Sequence, residues 1–156
     1  MTIFLPCLLE RWSGDAGGVV RARGMLNTWN DVRRDVMRNI EWLLNTEAPA
    51  ALAGGKIPDA VMDSVLCFGI EPYSGRPQST LNPDDIAWNI RKKIIAFETR
   101  IDRHTLEVVV ADKVGQHKFN KLRFTVMGHL RSDPIPIEFI VQTEIDTESG
   151  KARVTG

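Results

Sequence analysis

An excess of one charge is what this chain most clearly lacks: twenty Lys and Arg face twenty Asp and Glu, for a formal net charge of zero. Binding to phosphate backbones or anionic lipid needs a surplus of cations on one face, so this balance argues against nucleic-acid and membrane-surface partners. Other proteins or a small molecule are the partners to expect. Cysteine is nearly absent as well, with only Cys7 and Cys67, too far apart for a CxxC pair. A disulfide framework would need more of them, which favours a reducing compartment. Long apolar runs are missing too. The opening "MTIFLPCLLERWSGD" is apolar only briefly, has no basic stretch before it and is broken by Pro6. It is too short for a signal peptide or a membrane span, so a cytosolic protein without direct membrane insertion is expected.

Signatures of chemistry are equally sparse. There is no phosphate-cradling glycine loop, no dinucleotide fingerprint and no HExxH, and "GGK" at 54–56 lacks the rest of a P-loop. His104, His117 and His129 have neither a neighbouring cysteine nor a helical pair spacing, so no metal site is expected. Ser64, Ser74 and Ser79 have no nucleophile-elbow context, and both cysteines read as buried or incidental thiols. Carboxylates need more care, because two at the right separation suffice for glycoside hydrolysis. Glu10, Glu47, Glu71 and Glu98 are the candidates, but a charged fraction of 26% is ordinary and singles out none of them. No catalytic residue, cofactor or metal is expected.

What is present is a pattern of helices followed by strands. With 156 residues and 43% apolar content, the chain can bury one real core. Residues 1–26 include the Gly-rich "SGDAGGVVRARG" and form a flexible lead-in, leaving 27–156 as a single domain. In "NTWNDVRRDVMRNIEWLLNT", Val32, Val36, Ile40, Leu43 and Leu44 line one helical face, with Asn27, Thr28 or Asn30 as caps. "IPDAVMDSVLCFGI" suggests a short helix from Pro58, with Val61, Val65 and Leu66 inward and Gly69 at its end. "LNPDDIAWNIRKKIIAFETR" is the clearest helix. Asn82 is its cap, Pro83 its first residue, and Ile86, Ile90, Ile94 and Phe97 its apolar face. Trp29, Trp42 and Trp88 fall on these helices, where core or core-edge packing is the usual role, although Trp88 lies off the apolar stripe and suits a second interface.

From residue 105 the period changes to two. "TLEVVVAD" is β-branched; "KLRFTVMGHL" and "IPIEFIVQTEID" alternate strictly; "TESG" turns into "KARVT". The expected fold is α+β, with N-terminal helices packed on one face of a small, mainly antiparallel β-sheet.

In order along the chain, "LLERW", "VRRDVMRNIEWLLNT", "DSVLCFGI", a long helix ending "FETRI", and then "LRFTVMGHL", "IEFIVQTEID" and "SGKARV" resemble the TssE family of type VI secretion baseplate proteins. That family is similar to a wedge protein of contractile-tailed phages and carries a lysozyme-like label. The resemblance implies a non-enzymatic adaptor in a wedge with TssF, TssG and TssK. It would stand at the cytoplasmic side of the inner membrane and hold the first ring of the contractile TssB–TssC sheath by accepting sheath strands onto its sheet. It also implies a docking role for Phe97, Glu98, Arg100 and Ile101, through which the family contacts a helical bundle of TssF and TssG. By their residue types alone, Glu98 and Arg100 favour an internal ion pair or a solvated helix end over a docking contact. Family members usually carry proline between this Glu and Arg, where this chain has Thr99, which removes a fixed φ from the helix end. A phage-tail wedge subunit and a peptidoglycan-cleaving muramidase are the competing expectations.

Overall fold

The computed structural model describes residues 28–48, 58, 61, 64–77, 80–111, 121–131 and 136–156. The first helix, α1, spans Trp29–Leu44. Thr28 caps it, extended at φ −131° and ψ 154°, with its hydroxyl accepting from the Asp31 amide. The stripe predicted from spacing is the buried one: Val32, Val36, Ile40, Leu43 and Leu44 are all inside. The second helix, α2, spans Pro83–Phe97. The Asn82 side chain accepts from the Asp84 amide, and Pro83 sits where a missing N–H costs nothing. Asp84 and Asp85 lie in its first turn, at the positive end of the helix dipole.

Among the described residues four strands follow, β1 at Glu107–Val110, β2 at Lys121–Leu130, β3 at Ile137–Asp146 and β4 at Ala152–Thr155. They form one sheet in the order β1-β2-β3-β4, every pair antiparallel. Register fixes the faces. Leu122, Phe124 and Val126 of β2 and Phe139, Val141 and Ile145 of β3 point to the helices. Arg123, Glu138, Ile140 and Gln142 point away. Of the described residues, α1 lies across β4 and α2 across β1, on the same face of the sheet. This is the α+β arrangement expected.

Polar clamps hold the layers in register. Asn45, just past α1, donates its amide to the Ala152 carbonyl at 2.8 Å and accepts from the Ala152 N–H at 2.9 Å. Its side chain thus pairs with β4 as a peptide group would, satisfying backbone that α1 covers. At the other edge, Arg91 Nε donates to the Leu106 carbonyl at 2.8 Å, tying α2 to the approach to β1.

The segment before α2 departs from expectation. Residues 59, 60, 62 and 63 lie outside the described ones, as does the 1–26 lead-in. Beyond Ser64 the chain makes a single 3-10 turn, Val65–Cys67, instead of an α-helical stripe. Three residues per turn cannot put both Val65 and Leu66 inward beside Cys67. Cys67 is the buried one, while Val65 is 83% and Leu66 65% exposed. Gly69 then takes φ +115°, and a Cβ there would lie 2.3 Å from the Thr46 carbonyl oxygen, so only glycine lets this strap pass the end of α1.

Candidate functional site

The segment 97–101 begins where α2 stops. Glu98 caps the helix, its N–H on the Ile94 carbonyl at 2.8 Å, and then turns to φ −116° and ψ 83°. Ile101 is buried and forms an isolated antiparallel bridge with Leu130 at the end of β2. The Arg131 N–H donates to the Arg100 carbonyl at 2.7 Å, and the Asp102 N–H to the His129 carbonyl at 2.8 Å. Gly128 lets this strap lie close, since a Cβ there would come within 3.3 Å of Ile101 Cγ2 and Leu106 Cα. So the sheet, not a proline, sets where the chain goes after α2.

The side chains divide between inside and outside. Phe97 is half-buried, its ring meeting Phe68 edge to face at 5.3 Å between centroids. Thr99 is exposed. Glu98 is only 5% exposed, which removes the solvated-end reading. Arg100 grips it with a planar fork, Nε to Oε1 at 2.7 Å and Nη2 to Oε2 at 2.6 Å, while the Arg100 N–H adds a bond to Oε1 at 3.2 Å. Asn39 of α1 donates to the same carboxylate at 3.3 Å.

The third partner lies 65 residues away. Arg100 Nη1 also reaches Asp35 Oδ2 of α1 at 2.5 Å, and Arg38 pairs with the other oxygen of that carboxylate. One guanidinium therefore joins two buried carboxylates, one from α1 and one from the end of α2. Burial alone would lower the Arg100 pKa, but the bonds and charges of Glu98 and Asp35 outweigh it and raise it. Asp35 was missed from the sequence, where it reads as one of the polar residues off the apolar stripe. The signal that could have found it was an acid and an amide, Asp35 and Asn39, four apart on the stripe's flank.

The other candidates are dispersed. Glu47 and Glu71 are exposed, and Glu71 pairs with Arg76 at 3.5 Å; Glu10 and His117 lie outside the described residues, as does Cys7. His104 and His129 are exposed, and among the described residues no group of three His, Cys, Asp or Glu could hold a metal. Trp88 is 60% exposed on the outer side of α2 under Lys92, while Trp29 and Trp42 lie partly exposed on α1 and are not core residues.

A helical layer on a four-stranded sheet, with a helix end braced by an internal guanidinium, is a scaffold for holding surfaces in place. The family model for baseplate wedge protein gp25 matches residues 30–135. The chain belongs to this family. Comparison with curated proteins and with solved structures gives no match. The matched span runs from α1 through β2, so it contains the whole Asp35–Arg100–Glu98 cluster. As a gp25-family member, which is also the family of TssE, the chain is a structural baseplate component of a contractile injection system and associates with other baseplate and tail parts. No helix among the described residues is long and apolar enough to cross a membrane.

Proposed function

We propose that this wedge protein acts in a type VI secretion baseplate, joining a wedge of TssF, TssG and TssK to the first ring of the TssB–TssC sheath at the cytoplasmic side of the inner membrane. The observation that carries this reading is the rigid presentation of segment Phe97–Ile101 beside a sheet whose edge strands are short. β1 and β4 have four residues each, against ten in β2 and in β3. Open backbone at such edges accepts a further strand with little demand on its sequence, which suits the capture of sheath strands.

Docking onto TssF and TssG falls to Phe97, Glu98, Arg100 and Ile101, with a division of labour. Glu98 and Arg100 satisfy each other and fix the pose, while Thr99 and the open side of Phe97 face the partner. Replacing exposed Thr99 with Arg should leave the melting temperature unchanged and abolish co-purification with TssF and TssG. Normal wedge assembly by that variant would refute the assignment. The family match suits a phage-tail wedge subunit as well, and neighbouring genes for TssB, TssC and TssF separate the two. A muramidase is disfavoured because Glu98, the buried one among the described candidate carboxylates, is locked on Arg100, whereas a glycosidase acid must be free to give its proton. Cell-wall turbidity that clears with this protein, and not after carboxylate substitution, would reverse that conclusion.

A further inference from the structure

β3 is longer than the strand at its outer side. It pairs with β2 along its whole length, Ile137 to Asp146, whereas β4 matches only Gln142 to Ile145. From Ile137 to Val141, one edge of β3 therefore has no strand against it among the described residues. Alternation decides which backbone groups face that gap. The Asp146 N–H bonds to the Lys151 carbonyl at 2.9 Å, and the Asp146 carbonyl takes the Gly150 N–H at 2.8 Å, so Asp146 faces the β4 side. Every second residue of a strand turns its N–H and C=O the same way, which brings Glu138 and Ile140 to the gap and sends Phe139 and Val141 to β2.

One side chain closes the gap. Arg33 of α1 donates from Nη2 to the Ile140 carbonyl at 3.1 Å. The contact does little for Arg33 itself, because its Nε is buried without a hydrogen-bond partner. What it does is occupy the acceptor that another strand would use. Without it, this edge is suited to its own copy. Antiparallel pairing centred on Phe139 would set Glu138 opposite Ile140 of a second chain, and Ile140 opposite its Glu138, with no like charges facing. In that register the Ile140 carbonyl would receive the Glu138 N–H of the other copy, so Arg33 competes for that bond. We infer that Arg33 locks the β3 edge at Glu138–Ile140 against pairing with a second copy of this chain. A subunit that offers strand edges to other proteins needs such a lock, since an unguarded edge is a template for self-association.

Sedimentation velocity of the purified full chain tests this, at one protein concentration for all variants. Arg33→Met keeps an unbranched stem and removes the donors. It should sediment as a dimer where wild type and Arg33→Lys sediment as monomers, with hydrogen exchange at the Glu138 and Ile140 amides slowed at least about tenfold. Adding Ile140→Pro deletes an N–H that faces the gap and none that faces β2, so the double variant should return to the monomer. Circular dichroism keeps pairing apart from misfolding, and Arg33→Gln, which should dimerise as well, decides the matter if Arg33→Met does not fold. A folded Arg33→Met or Arg33→Gln that stays monomeric overturns the lock. So does a dimer that persists with Ile140→Pro, a dimer whose new protection lies on β1, or a wild type that associates as strongly as the variants. No other protein enters the experiment, so its result is independent of which contractile machine the chain serves.

Discussion

Replacing Arg100 by Met keeps most of the packing volume and removes the charge that two buried carboxylates share. Asp35 is 2% exposed and keeps Arg38; Glu98 keeps the Asn39 amide at 3.3 Å and the backbone N–H of residue 100 at 3.2 Å, but no cation. Breaking a buried pair by deleting one partner costs about 3–5 kcal/mol, because the remaining charge stays desolvated. The residual Arg38 contact places the expected loss near the lower end, about 3 kcal/mol. In a domain of this size each kcal/mol moves the melting temperature by about 2–4 °C, so a fall of about 6–12 °C is expected by circular dichroism. Adding Asp35→Asn and Glu98→Gln to Arg100→Met should recover part of it, since amides carry no charge to strand. A variant Arg100→Met that melts with wild type would refute the brace, as would a triple variant no better than the single one. Reversing Glu98 to Lys is a different experiment: it buries a second cation against Arg100 and should unfold the chain, so it cannot report on docking alone.

Three further outcomes rest on the same geometry. Gly69→Ala should cost at least about 2 kcal/mol in urea denaturation, since it combines a positive φ with a Cβ pressed against the Thr46 carbonyl. Thr99→Pro should raise the melting temperature slightly, by the equivalent of about 0.4–1 kcal/mol, because Glu98 has already left the helical region, at φ −116° and ψ 83°, and proline narrows the unfolded ensemble. The Asp146 carboxylate accepts from the Ser149 and Glu148 amides in the β3–β4 turn, which hold it below its ordinary 3.8. A carboxyl depressed in the folded state stabilises above its unfolded value and loses that contribution as pH falls through the folded one. Melting temperatures should therefore drop below about pH 4, and Asp146→Asn should flatten part of that slope.

Much of the scaffold was legible because its signals are local. The Thr28 cap, the Asn82-Pro83-Asp84 start of α2 and the alternation in β2 and β3 each sit within a few residues, and each forms as expected. The turn at Val65–Cys67 was not legible, since over so short a run a 3-10 period and a helical one place apolar residues alike. Its inward residue is Cys67, and the aliphatics predicted to be core are outside. The brace was half legible. Glu98 and Arg100 stand out as neighbours, but their link to Asp35 crosses 65 positions, and no periodicity encodes a contact across a fold. Trp29 and Trp42 misled, since size favours burial and each is 39% exposed, whereas Trp88, off the apolar stripe in the sequence, is exposed as that position implies.

The strap from Glu98 to Asp102 has a mechanical consequence. It is tied to α1 through Arg100 and Asp35, and to β2 through the Ile101 bridge and the flanking Arg131 and Asp102 amides. A tug on Thr99 is therefore divided between the helical layer and a ten-residue central strand, instead of peeling one element away. β1 and β4, with four residues each at the rims, are the weaker links in tension. In a machine that fires by contraction, this chain should give way at a rim before the strap tears from its own core.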